Sequence, residues 1–398
     1  MKIIFVEPNL KIMSGHFFET TKSLVAYCVE RQTNLQVGFV CNYSADEKIL
    51  EYFPYIKPLY RMSCFERGKT DIAMDDIRKI ITTFDLSEHD AIVFTTAHLR
   101  EIRAVKKISK KSKIPKFVLQ LHQYYPPLPD ACMISDASIN GKLENRYQKA
   151  MRGINQKKIS IVVTPVALLA TKIAKITGHR PKMFPVPFSA HTPFSNKKKN
   201  LFATNIGFFG DGRKEKGLLD FLRLVKIITK KYNNAKRYHF IVNVQNPRGF
   251  AKKETFEIGE LLKDMGQDGS IEIIWGHLDT DEYHHQLYKC SLAILLHHPR
   301  HYSIRLSGIA VECGMMGVPV LVHKGTSMAK WVKEGRLFGA IMRSNRSSDI
   351  IRAITELGKA TDSTKNKTKL NELSVQWTEE YSAKSYIDKY LLPLLSHE

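Results

Sequence analysis

The sequence predicts two doubly wound, Rossmann-like α/β domains facing across a cleft. Three observations carry that expectation. Short apolar runs alternate with longer stretches of helical period, the pattern of parallel sheets covered by helices. The rhythm halts at a proline-rich stretch near the middle of the chain and then restarts. A length of 398 residues exceeds one ordinary core and suits two.

In the first half, strands are expected at 3–6, 35–41, 91–95, 117–122 and 160–164, with helices near 17–31, 74–83 and 100–110. Pro185, Pro187 and Pro193, among small polar residues and lysines, have a linker's composition. The second half repeats the rhythm, with strands at 205–209, 239–244, 271–275, 292–296 and 318–322. Residues 360–369 are polar enough to be a surface loop, and 376–395 regain helical spacing through Trp377, Tyr381, Tyr386, Tyr390 and Leu394. The resulting division is a first domain over 1–190, a linker over 191–200 and a second domain over 201–375. A C-terminal helix over 376–398 can cross back to the first domain. Open sheets of this kind bind ligands beyond the carboxyl ends of their strands.

Composition narrows the class. An apolar share of 43% with 10% aromatics is that of a globular protein. Lys+Arg outnumber Asp+Glu by 61 to 39, a formal net charge of +22. That surplus implies an anionic partner (phosphates, a membrane surface or nucleic acid), or a lysine-rich surface with none. Cys28, Cys41, Cys64, Cys132, Cys290 and Cys313 lack metal-ligand spacing and read as reduced thiols in a cytoplasmic setting. Residues 1–8 read as a first strand and are too short for a signal peptide. No run approaches the ~18 apolar residues of a membrane span.

The chemistry concentrates in the second half. Residues 205–217, Asn-Ile-Gly-Phe-Phe-Gly-Asp-Gly-Arg-Lys-Glu-Lys-Gly, read as a strand, a glycine-rich turn and the start of a helix. Gly210, Gly212 and Gly217 allow close approach of backbone to a ligand, and a helix start offers free N–H groups. Arg213 and Lys216 add cations, and a guanidinium can grip a diphosphate with two hydrogen bonds. The spacing is not that of a Walker loop, and a solvated basic turn is the plain alternative. Further on, 302–320 read as loop, helix, tight turn and strand. Leu306, Ile309, Ala310 and Cys313 form the buried stripe, and Glu312 lies beyond it. A carboxylate there can accept both hydrogen bonds of a ribose diol, or it is a surface glutamate.

At these residues the chain resembles GT4-like glycosyltransferases of the GT-B fold. The Gly210–Gly217 segment resembles their diphosphate loop, and 307–320, with Glu312 and Gly-Val-Pro-Val, their donor-ribose helix and following strand. Residues 273–283, with Gly276 and His277, are similar to the loop that receives the nucleobase, and 287–296 to the helix end and strand before the catalytic loop. The resemblance implies that Arg213 and Lys216 hold the donor diphosphate and that Glu312 binds ribose, in a metal-independent reaction that retains anomeric configuration. It places Arg305, Ser307 and Gly308 around the donor. The family's second glutamate, eight positions before the ribose glutamate, is Ile304 here, which alters the contacts to the donor sugar.

In the first half, Gly15 and His16 before a helix resemble the glycine loop over the donor phosphates. His122, at a strand's carboxyl end, reads as a donor- or acceptor-contacting histidine and a catalytic candidate, or as a satisfied structural one; His98 is a weaker instance. No paired carboxylates appear there, so Arg213 and Lys216 are expected to stabilise the leaving diphosphate electrostatically. Residues 99–116 carry eight Lys and Arg against Glu101. They either rest on an anionic membrane surface or pack Ile102, Val105 and Ile108 on the sheet.

The function expected is therefore glycosyl transfer from a UDP- or GDP-sugar to a glycan or lipid-linked acceptor, with no cofactor required, in the cytoplasm or at the inner membrane face. Alternatives are another GT-B enzyme, such as a nucleotide-sugar epimerase, and a basic nucleic-acid-binding protein. The last lacks any Cys/His finger, aromatic RNA-binding signature or basic tail, and no nucleic-acid partner is expected.

Overall fold

The structure is a computed structural model that describes residues 1–13, 15–30, 35–63, 69–122, 145–178, 180–189, 204–231, 238–267, 271–342, 344 and 346–396. The chain divides into two compact units, Met1–Ser189 with Tyr381–Glu398, and Ala190–Glu380. Ser14, Cys64, Cys132, the segment 123–127 and the whole of the 191–200 linker lie outside the described residues.

In the first unit the strands are β1 (Lys2–Val6), β2 (Gln36–Asn42), β3 (Ile56–Tyr60), β4 (Ala91–Phe94), β5 (Lys116–Leu121), β6 (Ile159–Val163) and β7 (Lys182–Met183). They stand in the order β3-β2-β1-β4-β5-β6-β7, with every pairing parallel. Covered on both faces, β1 and β4 are near-continuous apolar runs, Ile3 to Val6 and Ala91 to Phe94, all buried. Order reverses between β1 and β4, so the crevice beyond their carboxyl ends is this sheet's switch point.

The C-terminal segment is part of the first unit's core. Ala383, Tyr386, Ile387, Leu391 and Leu395 pack with Phe5, Phe39 and Val118. Tyr386 Oη donates to Gln120 Oε1 at 3.0 Å, and Phe188 N donates to Tyr381 O at 2.9 Å. The single helix read over 376–395 is broken: one helix ends at Glu380, and a π-helical turn, Ser385–Leu391, follows. Trp377 stays in the second unit, its ring 5.2 Å from Trp331.

The second unit contains β8 (Thr204–Phe208), β9 (Asp211–Arg213), β10 (Tyr238–Arg248), β11 (Ile271–Trp275), β12 (Leu292–Leu295), β13 (Val320–His323) and β14 (Gly339–Met342). Its main order, β11-β10-β8-β12-β13-β14, repeats the first sheet's topology, with β9 added along β10. The switch point falls between β8 and β12. Leu218, Phe221, Leu222 and Val225 from helix Leu218–Lys231 fill the core against Phe208, Phe240 and Ile294. The loop expected over 360–369 is instead helix, within Ser347–Asp362 and Thr364–Glu380.

The basic segment 99–116 also differs from a lipid-lying helix. Its helix, Leu99–Ile108, buries Ile102, Val105 and Ile108 in the first unit, and Lys116 already belongs to β5. Arg100 is 9% exposed and paired with Glu101 at 2.7 Å. Lys106 donates to the Arg152 carbonyl, and Lys107 meets Asp71 at 3.4 Å. The apolar face is thus used by protein, and only exposed Lys107, Lys110, Lys111 and Lys113 remain to attract anions. Among the described residues no helix is long and apolar enough to cross a membrane.

Candidate functional site

Gly210 follows β8 at the second switch point, with a φ of +102° that favours glycine. A Cβ there would lie 2.5 Å from Ile309 Cδ1 and 3.1 Å from Lys216 Nζ. The Lys216 amine therefore sits over the Gly210 backbone, beside the first turn of helix Gly308–Met315. Burial, followed by the Arg213 charge, lowers its pKa to about 8.

This corrects the expected path of the glycine-rich segment. After β8 the chain forms β9, a 3₁₀ turn at Lys214–Lys216 and only then helix Leu218–Lys231. Gly217 lies against the Leu296 backbone, so the start of that helix meets protein. The helix start beside Lys216 is the one at Gly308. Gly212 is required by its neighbour strand, since a Cβ would lie 2.8 Å from Gln245 O.

Arg213 is held from three sides. Its Nε is 3.1 Å from Asp211 Oδ2, Nη1 donates to Glu215 Oε1 at 2.8 Å, and Nη2 donates to Tyr302 Oη at 3.3 Å. Arg305 reaches the same Glu215 oxygen at 3.9 Å. Lys214 turns away, to Glu254 at 2.7 Å. Beyond β12, His297 is 2% exposed, with Nε2 at 3.3 Å from Ser307 Oγ and its ring edge-on to Tyr302. Burial and then the Lys216 and Arg213 charges push His297 well below the usual imidazole range, so it is neutral.

Glu312 is the half-buried exception on a helix otherwise buried from Ile309 to Met315. Tyr283 Oη donates to its Oε2 at 3.0 Å, and His284 Nε2 stands 3.5 Å from its Oε1. Both partners come from helix Thr280–Lys289, which is capped by Asp279 Oδ1 accepting from Glu282 N at 2.8 Å. The turn before it, Trp275, Gly276 and His277, is exposed. Buried Asn243 supports that turn by donating to Ile274 O and Gly276 O at 3.1 and 3.0 Å. Thus Gly210, Arg213, Lys216, Arg305, Ser307, Gly308 and Glu312 converge around the switch point, with Gly276 and His277 at the end of β11.

In the first unit, Gly15 and His16 open helix Gly15–Glu30, and His16 lies 6.3 Å, ring to ring, from His122. His122 Nε2 is 2.7 Å from Thr95 O. A carbonyl only accepts, so Nε2 carries the proton and Nδ1 is left as an acceptor. Burial takes His122 and neighbouring His98 down to about 4, leaving both neutral near pH 7.

Glu7, directly after β1 and not evident as a site residue from sequence, is the centre of this rim. Its carboxylate accepts from Asn9 N and Nδ2 at 2.9 and 3.0 Å, and from Thr95 and Thr96 hydroxyls at 2.7 and 2.8 Å. Burial outweighs these bonds and raises its pKa to about 7. The folded form then binds more protons than the unfolded one between about pH 4.5 and 7, so this group's contribution falls as pH rises through that window. Glu7→Gln is neutral at every pH; its amide oxygen can still accept from Asn9, while its NH2 donates to the Thr95 and Thr96 hydroxyl oxygens, which can also accept. Its stability relative to wild type is expected to improve from pH 5 to 8, by about 3 kcal/mol at most, as read from urea midpoints across pH.

No family model and no curated protein sequence matches the chain. Solved structures do. Sucrose-phosphate synthase from Thermosynechococcus elongatus is 10% identical with a TM-score of 0.68, covering 100% of both chains. Anabaena Alr3699/HepE in complex with UDP is 13% identical with a TM-score of 0.63, covering 99% of each. The E. coli trehalose-6-phosphate structure bound with UDP-2-fluoro glucose is 10% identical with a TM-score of 0.60, covering 100% of this chain and 99% of that one. The chain has the fold of these proteins, the GT-B fold of two doubly wound α/β units that the sequence predicts.

Proposed function

We propose that the chain is a glycosyltransferase that moves a sugar from a nucleotide-diphosphate sugar, UDP- or GDP-linked, to a glycan or lipid-linked acceptor. The observation that carries this reading is the Lys216 amine, held over Gly210 beside the helix that presents Glu312. A diphosphate at Lys216 leaves a ribose within the same unit as Glu312. The solved structures with UDP or UDP-glucose that share the fold support the choice of donor.

In this reading Lys216 and the Gly308 helix start stabilise the charge that develops on the departing diphosphate. Arg213, held by Asp211, Glu215 and Tyr302, contributes a fixed positive field and shapes the loop. Glu312 accepts the ribose hydroxyls, oriented by Tyr283 and His284. His122, neutral and with Nδ1 free to accept, takes a sugar hydroxyl rather than delivering a proton. With buried Ile304 where a second carboxylate stands in the resembled family, the front-face retaining route is favoured, and no metal or other cofactor is required of the reaction.

The test is release of nucleotide from a panel of UDP- and GDP-sugars, with and without oligosaccharide acceptors. One donor is expected to turn over above background. If no donor turns over and neither UDP nor GDP binds, the reading is rejected.

A further inference from the structure

Arg305 differs from Arg100, a buried arginine of the first unit. Arg100, 9% exposed, donates to Glu101 and to the Met62 and Ser63 carbonyls. The Arg305 side chain is 17% exposed, yet among the described residues it donates no hydrogen bond, and its ion-pair partner is Glu215 at 3.9 Å. That Glu215 oxygen is already taken by Arg213 at 2.8 Å. Residue 304 supplies no counter-charge, being a buried isoleucine.

The backbone at Arg305 is nevertheless held in place. Ser327 Oγ donates to the Arg305 carbonyl at 2.7 Å, and Ser307, two residues on, is buried against His297. A largely desolvated guanidinium that donates no hydrogen bond is costly, and an anion offsets that cost better than a hydroxyl. Beside burial, the groups acting on Arg305 are Tyr302, Arg213 and Glu215, whereas those acting on Lys216 are Arg213, Asp211, Glu215 and Glu312. Arg213 and Glu215 thus act on both Lys216 and Arg305.

Resting on the donor reading above, we propose that Arg305 receives a second anionic group, a carboxylate on the transferred sugar, so that the donor is the nucleotide diphosphate of an acidic sugar. Arg305 lies three residues before Gly308 on the loop leading to the Glu312 helix. That position assigns its anion to the donor rather than to a phosphorylated acceptor.

The experiment is calorimetric titration of wild type, Arg305→Ala and Arg305→Lys. UDP and GDP come first, then matched pairs for the base that binds: UDP-glucuronate against UDP-glucose, UDP-galacturonate against UDP-galactose, or GDP-mannuronate against GDP-mannose. In wild type one uronate is expected to bind about tenfold or more tighter than its neutral partner. That ratio should vanish in Arg305→Ala and persist in part in Arg305→Lys, where an ammonium remains. Taking the ratio within each variant cancels any general loss of binding. Equal binding of uronate and hexose by wild type overturns the proposal while leaving the donor reading intact, as does an alanine variant that retains the preference. An Arg305-dependent affinity for glucose 6-phosphate in the presence of nucleotide, without one for uronates, overturns it in favour of an acceptor phosphate. Failure of both UDP and GDP to bind wild type overturns the donor reading and this proposal together.

Discussion

Lys216→Ala is expected to lower kcat/KM for sugar transfer by about 10²–10³-fold, the range seen when one preorganised group facing a developing anion is removed. Its amine stands over the Gly210 backbone, and among the described residues it has no carboxylate within ion-pair distance. Arg213 is already engaged by Asp211 and Glu215, so it cannot easily substitute. The pH dependence gives an independent signature. Burial first, and the Arg213 charge second, set the free amine at about 8. A bound diphosphate raises that value, because an adjacent anion favours the charged form. Nucleotide affinity is therefore expected to be level below about pH 8 and to fall above it as the free amine loses its proton. Lys216→Arg should move this alkaline fall out of the accessible range, and Lys216→Ala should abolish it. Calorimetric titration of UDP or GDP between pH 6.5 and 9.5 reads all three outcomes.

The largest expected effect on stability is that of Gly217→Ala. The residue has φ of +85°, and an added Cβ would lie 2.5 Å from Leu296 Cβ and 2.7 Å from Leu296 O. Backbone strain and a clash with main chain act together, and neither can relax without moving helix Leu218–Lys231 off the end of β12. The expected loss is about 3 kcal/mol or more. For a unit of this size that lowers its Tm by roughly 6–12 °C. Gly276→Ala is the matched comparison, with φ of +80° but open space around the new atom. It should cost only the strain, about 1 kcal/mol. Equal losses in differential scanning calorimetry would show that crowding at Leu296 contributes nothing.

The strands most legible in the sequence are those buried on both faces, where a continuous apolar run leaves little choice. Leu292–Leu295 and the run ending at Val6 are instances. Three edge strands are not legible, the two-residue β7 among them. β3 reads Ile-Lys-Pro-Leu-Tyr, a composition that an edge tolerates and a sheet centre would not. β14 begins at a glycine and is four residues long. Residues 360–369 read as a loop because helix Thr364–Glu380, apart from Trp377, buries little and carries lysine, threonine and asparagine on its remaining faces.

The candidate site was legible in its charges and glycines and not in their partners. Gly210, Arg213, Lys216 and Glu312 stand out by type and spacing. Glu215, Tyr302, His297, Tyr283 and Asn243 gain meaning only when the fold joins segments up to 89 residues apart, as in Arg213 to Tyr302. The destination of the Lys216 amine was likewise hidden, because a 3₁₀ turn rather than a helix start carries it. Glu7 did leave a trace, an acid placed directly after the apolar residues of the first strand, where burial is forced.

A crystal structure of the chain with its preferred nucleotide diphosphate bound tests the central claim most directly. The account predicts phosphate oxygens within about 3 Å of Lys216 Nζ, at the Gly308 helix start, with the ribose hydroxyls on Glu312. A diphosphate bound elsewhere, with Lys216 and Glu312 untouched, would contradict it.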